Sequence, residues 1–257
     1  MTDLPALLAT ALRITGDAAD ISRSGFNAVS EIDLKSDESP VTASDRATEK
    51  AIREALVAEF PEDGIFGEEY GIEGLDRPRV WVVDPIDGTK SFITGVPLFG
   101  MLMALVEDGE TLLGIIRLPA LDQVYAGARG LGATKDGKPI RVSRCTALTD
   151  ATLFINEAEK IHGDDPALFG RLCTAGKLRR MGYDCHPHAL VAEGRIDAVV
   201  DYDLKPYDYL PVAGVVEAAG GIMTDWQGQP LNFESDGRVV SAATPDLHAE
   251  LLAFLNA

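Results

Sequence analysis

Leu4, Leu7, Leu8, Ala11, Leu12, Ala18 and Ile21 recur as one apolar stripe at helical spacing and predict an amphipathic helix over roughly 4–21. Ser22 to Ser39 is polar, with Gly25 and a charged run from Glu31 to Glu38, and reads as a loop or ragged hairpin. Lys35 stands in it as a base among acids. A second helix is predicted from Thr42 to about Phe60, with Ala47, Ala51, Ile52, Ala55, Leu56 and Phe60 inward. Thr42 is a candidate N-cap, and Asp45 three residues on completes a capping-box pattern. Pro61 to Gly64 stops this helix, and Ile65 to Glu69 reads as a short strand ending in two acids. Val80 to Val83 is an apolar run that predicts a buried strand, ended by Asp84-Pro85. Asp87-Gly88 then supports a tight turn, and Thr89 caps or begins the next element.

Beyond it, strands are expected over 99–106, 111–117 and 123–128, with a hairpin near 133–142. Asp136-Gly137 marks that hairpin turn, so this part is a meander of antiparallel strands behind a helical layer. The rhythm changes near 147–150. From there strands (151–155, 177–181, 196–200, 222–225, 239–242) alternate with helices (166–172, 186–192, 209–219, 245–255), the pattern of an α/β half following an α+β half. The chain is therefore read as one unit of residues 1–257 with subdomains 1–147 and 148–257. It has no linker-like stretch and no internal repeat.

Composition narrows the partners. Of 257 residues, 46% are hydrophobic and 25% charged, ordinary for a globular protein. The net charge of −18, from 41 acids against 23 Lys and Arg, repels nucleic acid and anionic membranes, so neither is an expected partner. Cys145, Cys173 and Cys185, odd in number and without CxxC spacing, fit a reducing compartment. The N-terminus lacks a basic region followed by an apolar core, and no apolar run is long enough to span a bilayer. A cytoplasmic location is expected.

Two carboxylates three residues apart, Asp84 and Asp87, at the end of a rigid strand suit a hard divalent cation such as Mg2+; taken alone, the segment reads first as an ordinary surface turn. Its company decides. Gly67-Glu68-Glu69, Asp84-Pro85-Ile86-Asp87-Gly88-Thr89 and Pro206-Tyr207-Asp208, with Pro40 to Asp45 upstream and Ala218-Ala219-Gly220-Gly221 downstream, resemble the inositol monophosphatase family of Mg2+-dependent sugar and alcohol phosphatases. The resemblance runs from Lys35 to Gly221. It implies a layered α-β-α-β-α sandwich of the type shared with fructose-1,6-bisphosphatase, and a homodimer.

By that resemblance, Glu68, Asp84 and the carbonyl of Ile86 would hold one Mg2+, while Asp84, Asp87 and Asp208 would hold a second. A third, weaker Mg2+ would lie near Glu68. Glu68 and Thr89, helped by Asp45, would orient the attacking water, and the amides of Gly88 and Thr89 would receive the phosphate of a small phosphorylated alcohol. The residues keep plainer readings beside these roles. Asp45 is also a capping residue, Lys35 a surface lysine, and Glu69 a solvated strand end. Gly182-Tyr183-Asp184-Cys185 resembles the pattern of the family's histidinol-phosphate phosphatases, and Asp201 stands where the family places a substrate-contacting acid. Asp184 and Asp201 together would favour a cationic substrate; alternatively, Asp184 simply caps the helix from His186. His186-Pro187-His188 and Tyr207 depart from the group's pattern. His186 and His188 are not expected to ligate metal, and His162 and His248 read as surface residues. The expected function is Mg2+-dependent hydrolysis of histidinol phosphate; a broad inositol-1-phosphate phosphatase and a non-catalytic metal-binding regulator are the alternatives. Bisphosphates are disfavoured because few basic residues flank the motifs.

Overall fold

A computed structural model describes residues 3–26, 32–34 and 40–257. Lys35 and most of the charged run 31–38 lie outside the described residues. The described part of that polar segment differs from a loop at its start: α1 spans Leu4–Phe26, because Ser22 is buried and folds its hydroxyl back on the Ala19 carbonyl at 3.0 Å. Strand β1 (Ile32–Leu34) pairs antiparallel with β2 (Pro40–Thr42), which leads into α2 (Ala43–Glu59).

Both halves of the expected capping box at Thr42 and Asp45 form and fix where α2 begins. Eight strands follow: β3 (Gly64–Gly67), β4 (Gly71–Glu73), β5 (Arg79–Asp87), β6 (Gly100–Glu107), β7 (Glu110–Leu118), β8 (Gln123–Ala128), β9 (Gly132–Lys135) and β10 (Lys138–Ile140). They form one sheet in the order β10-β9-β8-β7-β6-β5-β3-β4, with only the β3–β5 pair parallel. Alternation splits its side chains. Trp81, Val83, Met101, Met103 and Leu105 face α1 and α2, whereas Val82, Leu102, Ala104 and Val106 face the interior of the molecule.

Five strands make the second sheet: β11 (Thr152–Ile155), β12 (Leu178–Met181), β13 (Ala198–Asp201), β14 (Ile222–Asp225) and β15 (Val239–Ala242), in the order β12-β11-β13-β15-β14. Between the sheets lie α6 (His186–Ala192) and α7 (Pro206–Ala218), sharing one core with the inner faces of both. Outside the second sheet, α5 (Pro166–Leu172) and α8 (Pro245–Leu255) cover Leu153, Ile155, Ala198 and Val200, with Ile161 of α4 (Ala158–Asp164) in the same cluster. The layers are thus α-β-α-β-α. Helix α7 carries apolar residues all round, as burial between two sheets requires. Helix α4 was not expected: its short polar sequence offers only Ile161 to the core.

Candidate active site

Strand β5 does not stop at Asp84-Pro85. Its register against β6 runs evenly from Arg79 opposite Glu107 to Asp84 opposite Leu102, then jumps to Asp87 opposite Gly100. The irregularity is a bulge, which is where a strand tolerates the missing N–H of Pro85. It also turns Asp84 and Asp87 to one place. Oδ1 of Asp84 accepts the Ile86 amide at 2.9 Å, locking the bulge. Gly88 follows at φ 84°, ψ 48°, and the short helix α3 (Thr89–Ile93) begins at Thr89.

Asp208 joins from the helical layer between the sheets. Helix α7 starts at Pro206, so Asp208 lies in its first turn rather than before it, and its Oδ2 accepts the Lys205 amide at 2.7 Å. Ligand oxygens of Asp84, Asp87 and Asp208 lie within 4.8 Å of one another. Glu68 extends the β3–β5 ladder by donating its amide to the Val83 carbonyl at 3.2 Å, and its carboxyl shares a hydrogen bond with Asp84. Burial, then Glu68, Asp87 and Asp208, push Asp84 well above the usual carboxylate range. Burial, then Asp184 and Asp208, do the same to Asp87, and burial foremost raises Asp208 to about 7. Carboxyls gathered at this range without ionising freely are a site that a divalent cation stabilises, and an all-oxygen donor set suits Mg2+. The residues fit the metal that the sequence implied.

Asp45 serves two partners. Oδ2 accepts the Thr42 amide at 2.9 Å, while Oδ1 lies 3.4 Å from the Thr89 hydroxyl, which is also 3.4 Å from the Ile86 carbonyl. The capping carboxylate of α2 therefore also reaches Thr89 of the motif.

A cleft of about 190 Å³ opens over this cluster. Its lining also includes Asp184, Asp201, Asn156, Glu157 and Lys160. Asp184 does not cap α6: the cap position is Cys185, and no side chain caps that helix. Instead Oδ2 of Asp184 accepts the Ser91 hydroxyl at 2.5 Å. Burial raises its pKa to about 6; the Ser91 bond and Lys90 oppose this, and Glu157 and Asp201 reinforce it. Asp201 behaves differently from a free contact residue. Its Oδ2 accepts from Asn156 Nδ2 at 2.7 Å and lies 2.9 Å from His188 Nε2, and its Oδ1 accepts the Tyr202 amide at 2.8 Å. His188 is completed by Ser241 at 3.0 Å on Nδ1.

His186 and His188 do not converge; two residues apart on a helix, they face different ways, and His186 looks toward Lys135 and Glu193. His248 is buried rather than on the surface, with Nε2 2.7 Å from Thr224 Oγ1. His162 is exposed, edge-on to Phe169. Tyr207 packs edge-on against Phe66 at 5.9 Å. The sequence reading missed Ser91, Asn156 and Glu157. Asn156-Glu157 follows directly on the apolar run of β11, and a polar pair at the carboxyl end of such a strand is where α/β proteins place ligand contacts.

A model of the inositol monophosphatase family matches residues 3–257. The chain belongs to that family. It is 40% identical to a histidinol-phosphatase of Chlorobaculum parvum, over 80% of each chain. It is 37% identical to a histidinol-phosphatase of Mycobacterium tuberculosis, over 97% of this chain and 98% of that one. A solved inositol monophosphatase from Zymomonas mobilis superposes with a TM-score of 0.89, at 39% identity and 100% coverage of both chains. The inositol monophosphatase fold expected from the motifs is therefore the fold observed.

Proposed function

We propose that this phosphoric monoester hydrolase uses Mg2+ and takes histidinol phosphate as its substrate. Glu68, Asp84, the carbonyl of Ile86, Asp87 and Asp208 would hold two Mg2+ ions, with a third, weaker one near Glu68. When bound, the ions neutralise the phosphate dianion and acidify the attacking water. The chain's own groups do the positioning. The Thr89 hydroxyl, placed between Asp45 and the Ile86 carbonyl, keeps a lone pair with which to orient that water. The amides of Gly88 and Thr89 face the phosphate, and no phosphorylated side chain is needed.

The observation that carries the substrate is Asp184, pinned by Ser91 in the wall of the cleft, beside Gly88 and Asp87. Histidinol brings an ammonium and an imidazole to that wall, and Asp201 behind it, braced by His188 and Asn156, adds negative potential and holds Asn156 in place. Inositol brings no charge. The names of the Chlorobaculum and Mycobacterium relatives support the same reading. The Zymomonas structure, named for inositol monophosphate hydrolysis and matched over the whole chain, favours inositol 1-phosphate as the second reading.

We further infer that the enzyme is a cytoplasmic homodimer. No described helix is long and apolar enough to cross a membrane, and the edge strand β12 exposes Leu178 and Met181, with Tyr183 just beyond. The test is phosphate release from L-histidinol phosphate and from inositol 1-phosphate, each with Mg2+ and with EDTA. Release from histidinol phosphate that EDTA abolishes supports the proposal. EDTA-resistant release contradicts the metal assignment, and preference for inositol phosphate contradicts the substrate.

A further inference from the structure

Glu68 sits in a tight hairpin whose backbone is not self-sufficient. Gly67 pairs with Gly71 across β3 and β4, leaving the loop 68–70 between them. The Glu68 amide is taken by Val83, but the next two amides find no strand partner. Both turn instead to one side chain on α2. Glu49 is fully buried, and its Oε2 accepts the Glu69 amide at 2.7 Å while its Oε1 accepts the Tyr70 amide at 3.2 Å. Arg53, one helical turn on, donates Nε to Oε1 at 2.7 Å and its Nη2 to the Gly71 carbonyl. A buried carboxylate with this many donors is rigid, and charge-assisted bonds of this kind are the strong ones. The fit is close on the other side too: a Cβ built on Gly67 would collide with Oε1 of Glu49.

We infer that Glu49 is a positioning residue for the metal site: it fixes the loop 68–70 and thereby the carboxylate of Glu68. The inference rests on Glu68 being a metal ligand. Glu68 is gripped on both sides, by Val83 before it and by the Glu49–Arg53 pair after it, so its carboxylate is aimed at Asp84 before any ion arrives. Without Glu49 the two amides must be satisfied by water in a half-buried place, and the loop loses its single conformation. Pre-organisation of this sort is what groups behind metal ligands supply.

Magnesium binding to the EDTA-stripped protein, measured by titration calorimetry without substrate, tests this. Glu49→Gln removes the charge and the Arg53 pair. Gly67→Ala pushes the Glu49 carboxylate away and serves if Glu49→Gln does not fold. Each weakens Mg2+ binding by about tenfold or more, the range for removing a group behind a ligand. Turnover of each recovers at saturating Mg2+, which a merely structural defect would not allow. Glu68→Gln is the control and also weakens binding. Unchanged Mg2+ affinity in both Glu49→Gln and Gly67→Ala, with Glu68→Gln weakened, overturns the positioning role and leaves the ligand set standing. Unchanged affinity in Glu68→Gln removes Glu68 from the metal site and the inference with it.

Discussion

Ser91 donates its hydroxyl to Asp184 at 2.5 Å, joining α3 to the loop before α6 across 93 residues of sequence. The bond ties the turn that bears the motif to the acidic lining of the cleft. With its pKa raised to about 6, Asp184 is ionised at neutral pH, in a setting where its charge is under pressure from Glu157 and Asp201. A cation in the cleft relieves that pressure. Asp184→Asn keeps an acceptor for Ser91 and removes the charge. It lowers kcat/KM for histidinol phosphate about ten- to a hundredfold, the size of a lost hydrogen bond to a charged group. For inositol 1-phosphate the same change matters little. Steady-state kinetics on both esters decide, and equal losses return Asp184 to a structural role.

The carboxyl cluster makes stability depend on pH and metal. Asp208, raised from 3.8 to about 7, and Asp84 and Asp87, raised well above the usual carboxylate range by burial and mutual repulsion, hold protons in the folded state that the unfolded chain releases. The Asp208 contribution is present below about pH 4 and lost as pH rises through about 7, and those of Asp84 and Asp87 are lost in the same direction as pH rises. In EDTA the melting temperature therefore falls across this window. Mg2+ raises it, and by more at about pH 8 than at about pH 5, because binding displaces those protons. A melting temperature indifferent to Mg2+ at the higher pH contradicts the site.

Asp84→Asn separates catalysis from folding. The buried charge disappears while the Oδ1 acceptor for the Ile86 amide remains. Turnover drops by more than about a hundredfold, beyond the effect of losing a group behind a ligand. The metal-free melting temperature stays at or above that of the wild type. Near-normal turnover removes Asp84 from the metal centre.

Gly88 is held by two constraints. Its φ of 84° lies in the left-handed region, and a Cβ there would collide with Cγ of Asp184. Gly88→Ala loses about 1–2 kcal/mol to the backbone alone. Pushing Asp184 away lowers turnover of histidinol phosphate as well. Urea denaturation and kinetics read the two effects separately, and an unperturbed variant shows the turn to be more pliable than the close approach implies.

Local chemistry was legible in the sequence wherever it was self-contained. The Thr42–Asp45 box formed as its spacing requires, and Asp136-Gly137 makes the hairpin turn with both residues at positive φ. Asp84, Asp87 and Asp208 were found by their motifs and do meet. What stayed hidden depends on partners distant in sequence. Pro85 looked like a strand end because the bulge that accommodates it is set by β6. Asp201 looked free because His188, Asn156 and the Tyr202 amide reach it only in the fold. Nothing about the charged pair Glu49 and Arg53 distinguishes it from a solvated helix face until the loop 68–70 is seen to need the Glu49 carboxylate. His248 is buried because α8 turns it toward Thr224.

The most direct measurement is a competition: equal L-histidinol phosphate and inositol 1-phosphate in one vessel with Mg2+, followed by phosphorus NMR as the wild-type protein consumes them. The ratio of initial rates is the ratio of kcat/KM. The account predicts that histidinol phosphate is consumed first and that EDTA stops both reactions. Consumption of inositol 1-phosphate first, or of both together, contradicts the acidic wall at Asp184 as a reader of cations.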